Sequence, residues 1–213
     1  MKAEEKSIMI NIMEYCIDKV MYKYDFKRRG NSFNYIRSIG TTTQKVEMIC
    51  YFHPSYCPGM LAHIYPWLSV YYPEIDRVSK SIVDDTNIAI SNRKDTTLRQ
   101  PIQIYSDSER WTLMTNKSEE VHTMAEKIGT FLEQYTIPLL DDLKNVDDYI
   151  NKYVQQDKKI IKDDFFYFYV VCAYVSKEEY LKGLEVLEYR FGKPGLRKKY
   201  SNAFQFFEKK LDQ

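Results

Sequence analysis

Residues 163–175, "DDFFYFYVVCAYV", contain the longest apolar run in the chain, and how that run is read decides the fold. Crossing a bilayer takes roughly 20 apolar residues, and Phe165 to Val175 falls well short of that. Asp163 and Asp164 stand directly before it, at the positive end of a helix dipole. The stretch is therefore read as a helix buried on all sides in a protein core, with no membrane role.

Such a helix needs partners, and its neighbours supply them. Ser176 and Glu179 have the S-x-x-E spacing of a capping box, which predicts a following helix through Leu181, Leu184 and Leu187, stopped by Gly192 and Pro194. A final helix places Leu196, Tyr200, Ala203, Phe204, Phe207 and Leu211 on one side. Upstream, Val121, Met124, Ile128, Phe131 and Leu132 recur at helical spacing behind Ser118 as N-cap and Glu119 and Glu120 in the first turn. Pro138 is read as opening another helix whose stripe runs through Leu139, Leu143, Val146, Ile150 and Tyr153.

The earlier part of the chain has a different period. After a helical stripe of Met9, Ile12, Met13, Cys16, Ile17 and Val20, Gly30-Asn31 offers a turn, and Phe33, Tyr35, Arg37 and Ile39 alternate onto one face. A second alternation runs through Val46, Met48, Cys50 and Phe52. A third places Leu68, Val70 and Tyr72 opposite Trp67, Ser69 and Tyr71. Ser79 to Gln100 is polar and is read as a surface excursion. "PIQIY" (101–105) and "RWTLMT" (110–115), separated by "SDSE" (106–109), predict a last hairpin. The fold class expected is α+β: an N-terminal helix, an antiparallel sheet of about five strands, then a C-terminal set of helices. Residues 1–155 are assigned to the sheet domain and 156–213 to a helical hairpin and terminal helix packed on it.

Composition narrows the function classes. The 213 residues carry 31 Lys plus Arg against 30 Asp plus Glu, a net charge of +1, so no overall field favours nucleic acid or an anionic membrane. Nineteen Tyr and eleven Phe beside only seven Gly and seven Pro suit an aromatic-rich packed interior. The acidic N-terminus does not read as a secretory signal, and four irregularly spaced cysteines fit reduced thiols, so a cytoplasmic location is expected. G-x-S-x-G, G-x-x-x-x-G-K, G-x-G-x-x-G and H-E-x-x-H motifs are absent from the sequence, and no catalytic residue or cofactor is assigned. His122 is placed on the polar face of its helix. The Asp84-Asp85, Asp141-Asp142, Asp147-Asp148 and Asp163-Asp164 pairs are read as solvated faces and helix starts, because adjacent helical residues project about 100° apart.

Two constellations have chemical potential. Cys50, His53, Cys57 and His63 follow C-x2-H-x3-C-x5-H, nominally four zinc donors. On a regular strand, however, Cys50 shares its face with Met48 and Phe52 while His53 points to the other, so the quartet is not read as a metal site. The second is a basic turn, Lys27-Arg28-Arg29, with Arg37 nearby and Tyr35, Trp67 and Tyr71 on the strands. Arg28, Arg29, Arg37, Tyr35, Trp67 and Tyr71 are the candidate binding residues: guanidinium forks suit phosphate or carboxylate, and the rings could stack on bases.

The segment "YDFKRRGNSFNYIR" (24–37) resembles the start of a bacterial domain-of-unknown-function family, number 4304. In that family an amphipathic helix ends in a Gly-Phe-Lys-Lys-Lys-Gly-Asn-x-Phe-like turn leading into the first strand. Phe26, Lys27, Arg28, Arg29, Gly30, Asn31 and Phe33 carry the likeness, while Asp25 stands where a Gly is common. The resemblance implies an α+β domain without established catalytic residues. Immunity proteins of bacterial toxin systems are an architectural analogy. The expected function is a non-enzymatic protein-binding domain. Nucleic-acid binding through the basic turn and aromatic strands, or zinc binding, are the alternatives, and oligomeric state is left open.

Overall fold

The computed structural model describes residues 2–82, 95–105 and 111–212. It is an α+β structure, as the periodicities predict. An N-terminal helix runs through α1 (Ala3–Ile12), a π-helical turn (Met13–Ile17) and α2 (Asp18–Lys23). The strands are β1 (Lys27–Arg28), β2 (Asn34–Ile39), β3 (Thr42–Glu47), β4 (Cys50–Phe52), β5 (Ala62–Ile64) and β6 (Trp67–Tyr71). Helix α3 (Pro73–Ile82) and β7 (Leu98–Pro101) come next, then a 3₁₀ turn (Ile102–Tyr105) and β8 (Trp111–Leu113). The remaining helices are α4 (Ser118–Phe131), a π turn (Leu132–Thr136), α5 (Ile137–Asp141), α6 (Val146–Val154), α7 (Asp164–Ser176), α8 (Tyr180–Phe191), α9 (Pro194–Lys199) and α10 (Ser201–Leu211).

The strands form two sheets, a five-stranded one in the order β1-β2-β3-β6-β7 and a three-stranded one in the order β4-β5-β8. The alternation through residue 52 is thus not one strand. The chain leaves the first sheet at Met48-Ile49, with the Met48 amide donating to the Phe33 carbonyl at 2.8 Å and the Ile49 carbonyl accepting from Tyr65 at 2.7 Å. The expected last hairpin is also absent. "PIQIY" supplies only the end of β7 and a 3₁₀ turn, while β8 pairs antiparallel with β5. Pro101 has no amide to give a ladder, which favours ending the strand there. The turn expected at 106–109 lies outside the described residues.

Helix α3 is a further departure. The polar composition after residue 79 masked a pattern beginning earlier: Pro73 at the first position, Glu74 and Asp76 in the first turn, and Ile75, Ser79 and Ile82 buried. Residues 83–94 of the expected surface excursion lie outside the described residues, and its end is not on the surface, because residues 98–100 belong to strand β7 and Thr97, Leu98 and Gln100 are buried.

Helix α7 is the core helix that the opening stretch predicts, with every residue from Phe166 to Val175 buried and the Asp163 side chain capping it from the Phe166 amide at 2.8 Å. The S-x-x-E reading downstream is not realised. Ser176 ends α7, its hydroxyl donating to the Ala173 carbonyl at 2.7 Å, and Glu179 is the N-cap of α8. Ser118 is likewise the first helical residue of α4, with Lys117 at the N-cap.

The helix beginning at Ser118 runs on through Pro138 instead of restarting there. In an α-helix the Pro138 ring would clash with the carbonyl four residues back and donate no bond to it. The turn preceding it is widened, the Ile137 amide reaching five residues back to the Leu132 carbonyl. The new helix begins only at α6, where Asn145 and Asp148 form a reciprocal capping box.

The chain divides into two compact units that do not meet at residue 155: one of 1–39, 43–69 and 99–142, the other of 40–42, 70–98 and 143–213. Among the described residues no helix is long and apolar enough to cross a membrane.

Candidate functional site

Arg28 of the basic turn is occupied by internal bonds. Arg28 and Tyr35 are cross-strand partners on β1 and β2, and both reach back to Asp18 of α2. The Arg28 Nε donates to Asp18 Oδ1 at 2.9 Å, Nη2 bonds Oδ2, and the Tyr35 hydroxyl donates to Oδ1 at 2.6 Å. The Arg28 side chain is only 5% exposed, and burial together with the Asp18 bond pushes the Tyr35 phenol well up. Arg37 is also enclosed, donating to Gln44 Oε1, to Asp141 Oδ1 at 2.9 Å and to the Tyr24 carbonyl at 3.2 Å, and lying over the Phe26 ring. Arg28, Arg37 and Tyr35 were expected at a binding surface, and instead they fasten strands to helices. Lys27 and Arg29 of the cluster stay exposed. Tyr71 is half-buried and donates to Asp76 Oδ2 at 3.2 Å.

The Cys/His quartet is dispersed. Cys50 faces Ile64 across β4 and β5, and burial pushes its thiol up to about 12. His63 is paired with Tyr51. His53 follows the end of β4 with φ of 47°, a left-handed backbone rare for a residue with a side chain. Among the described residues no three His, Cys, Asp or Glu side chains are placed to hold a metal ion together.

Where the chain passes from β5 of the small sheet to β6 of the five-stranded one, it presents an aromatic face that the sequence reveals only in part. From Ala62 to Leu68, even-numbered residues are buried and His63, Tyr65 and Trp67 are half-exposed. Their rings form a ladder, with His63 to Tyr65 at 5.6 Å and Tyr65 edge-on to Trp67 at 5.9 Å. Tyr51 joins from β4, and Tyr56 meets His63 edge-on at 6.0 Å with its hydroxyl 2.5 Å from Nδ1. Arg99 caps the far end, its guanidinium carbon 4.3 Å from the Trp67 ring centre and Nη2 3.3 Å from Glu47. Tyr51, Tyr56, His63, Tyr65 and Gln103 line a cavity of about 660 Å³. Tyr51 and Tyr56 are 50% and 60% exposed, far above the usual state of a ring that has core to enter. The signal was present in the sequence as H-x-Y-x-W at 63–67, one face of an extended segment. It was overlooked because His63 was weighed only as a metal ligand.

Beyond these, His122 lies flat on Tyr15, ring centres 3.8 Å apart and planes within 2°, and the Tyr15 hydroxyl donates to Glu126 at 3.2 Å. The arrangement joins the N-terminal helix to α4.

Compared with protein-family models, with curated proteins and with solved structures, the chain matches none. The class that the fold and site define is an α+β domain displaying a half-exposed aromatic sheet face.

Proposed function

We propose that this chain is a non-enzymatic protein-binding domain that docks its partner on the aromatic face running from β4 and β5 to Trp67 of β6. One observation carries the reading: Tyr51, Tyr56 and Tyr65 gather on His63, and the rings continue through Tyr65 to Trp67, left partly in water and ending in a stacked arginine. Tyr, Trp and Arg are the residues on which interface energy concentrates, because they bury large rigid area at small entropic cost while keeping a polar tip satisfied. The partner class proposed is a bacterial toxin, with the chain acting as an immunity-type protein. Support for that class is the α+β architecture and the family-4304 resemblance of the turn at Phe26–Phe33. Nucleic-acid binding is the second reading, and it loses two of its three candidate guanidiniums because Arg28 and Arg37 are bonded internally, leaving Arg29.

Immobilised full chain and a Tyr56→Ala, Trp67→Ala variant, incubated with the same source extract, test the proposal. A specific partner should be held by the first and lost by the second. Each truncation should weaken the purified pair by about 30-fold or more, as hot-spot removal does. Arg29→Ala should leave binding unchanged. Salt-steep capture of single-stranded oligonucleotide that depends on Arg29 would sink the protein-partner reading in favour of nucleic acid.

A further inference from the structure

At the end of the same three-stranded sheet, separate from the aromatic cavity, four soft or borderline donors gather. A cavity of about 380 Å³ is lined by His53, Cys57, Met60 and Met114. Backbone bonds explain why residues so far apart in sequence meet there. The His53 amide donates to the Leu61 carbonyl at 2.9 Å, and the Leu61 amide donates to the Leu113 carbonyl at 2.9 Å, so the ends of β4, β5 and β8 lie side by side. Cys57 and Met60 are the corners of one turn, the Met60 amide donating to the Cys57 carbonyl at 3.2 Å across Pro58 and Gly59. Gly59 has φ of 87°, the conformation a type II turn requires at its third position and one that glycine adopts without strain. That turn sets the thiol and the first thioether at its two ends. Met114 is fixed from behind, since Glu120 accepts from the Met114 and Thr115 amides and from the Thr115 hydroxyl.

Methionine is ordinarily a core filler, yet Met114 is 54% exposed while lining this cavity, and His53 beside it is exposed too. The other lining residues are Pro54, Ser55, Pro58, Gly59 and Leu61, none of them charged. A single thiolate can neutralise one positive charge and no more. Thioether sulfur is a ligand for soft ions and a poor one for zinc, magnesium or calcium.

We propose that Cys57, Met60 and Met114, with His53 as an additional donor, form a binding site for a soft monovalent cation of the Cu(I) class. On binding, a sulfur–copper bond forms at Cys57 and the thiol proton passes to solvent. The copper stays in its +1 state and no electron is transferred. The site stands independently of the aromatic-face reading, because none of the four donors lines that cavity.

The test is anaerobic titration of the full chain with Cu(I) against the chromophoric chelator bicinchoninate. The expected result is one equivalent withheld from the chelator, at a proton-dependent affinity. Cys57→Ser should reduce that affinity by more than the roughly 10- to 100-fold that loss of even an outer-shell partner costs, and Met60→Leu and Met114→Leu each by about 10-fold. Cys50→Ser should change nothing. With Ag(I) as a diamagnetic probe, the methyl resonances of Met60 and Met114 should move and those of the other methionines should not. Failure to withhold copper, retention undiminished in Cys57→Ser, or silver-induced shifts confined to other methionines would each overturn the assignment. So would equal retention of Zn(II), which the two thioethers should not support.

Discussion

Residues around Asp18 in one compact unit and around Phe168 in the other are both withdrawn from water, by opposite means. Asp18 collects bonds from Arg28 and Tyr35, and Arg37 with Gln44 ties β2 and β3 to the Asp141 carboxylate and the Leu140 carbonyl. The second unit is organised on α7, whose residues 166–175 are all buried and bring aromatic and aliphatic surface to neighbours such as Tyr149 and Tyr200. A charged network tolerates one arrangement, because each donor has a direction and each lost bond strands a charge. An apolar helix asks mainly for volume and is insensitive to which partner fills it. The contrast teaches that buried arginines in a chain of net charge +1 can be structural pins, even where their sequence clustering resembles an anion site.

The largest effects should separate the two kinds of core. Asp18→Asn takes from the buried Arg28 its close counterion and leaves only the more exposed Glu14 at 3.7 Å, and is expected to cost about 3 kcal/mol in urea unfolding. Phe168→Ala opens a cavity in the second unit and should cost a similar amount, about 3–5 kcal/mol. The rescues differ: adding Arg28→Met to Asp18→Leu should recover most of the loss, whereas a polar replacement at Phe168 should deepen it. If Asp18→Asn proves nearly silent, the pinning role of the network fails.

A smaller effect sharpens the same distinction within the first unit. A Cβ added at Gly129 would lie 2.8 Å from the Cys16 sulfur, so Gly129→Ala sets a helix-propensity gain of about 1 kcal/mol against overpacking of about 1–3 kcal/mol. A net loss is expected in thermal unfolding. In a Cys16→Ala background the clash is gone and the same substitution should become stabilising, a reversal readable in a double-mutant cycle.

The smallest effect is titrimetric. Burial alone would raise the Glu120 carboxyl, but the Thr115 hydroxyl and the Met114 and Thr115 amides outweigh it and hold it below its ordinary value. Its contribution is therefore fully present above the ordinary carboxyl range and is lost as pH falls through the lower folded value. Glu120→Gln should be less stable than the parent near neutrality, and the gap between their urea midpoints should close toward about pH 3. A gap independent of pH would assign Glu120 a packing role only.

Much of the fold was legible from local pattern. The stripes at Met9–Val20 and Val121–Leu132 and the unbroken run at 165–175 fixed the helices, and Asp163, Asp147 and Asp148 behave as helix-start residues. These features depend on a period and a dipole, both written in neighbouring residues. The overlooked helix at Pro73–Ile82 was legible as well, through Pro73, Glu74 and the Ile75, Ser79, Ile82 spacing, had the polar tract not been taken as one loop.

Tertiary structure alone decided the rest. Strand alternation says that Tyr35 and Arg37 share a face and that Trp67 and Tyr71 share another, but not which face meets a helix. Only the packed chain places Asp18 above the first and leaves His63, Tyr65 and Trp67 open along β5 and β6. Nor does any local signal mark the switch of sheets at Met48-Ile49, or the alignment of residues 53, 61 and 113 that brings His53, Cys57, Met60 and Met114 to one cavity. The physical reason is one of range: periodicity and capping are set within a few residues, whereas side-chain partnership is set by pairings between segments up to a hundred positions apart.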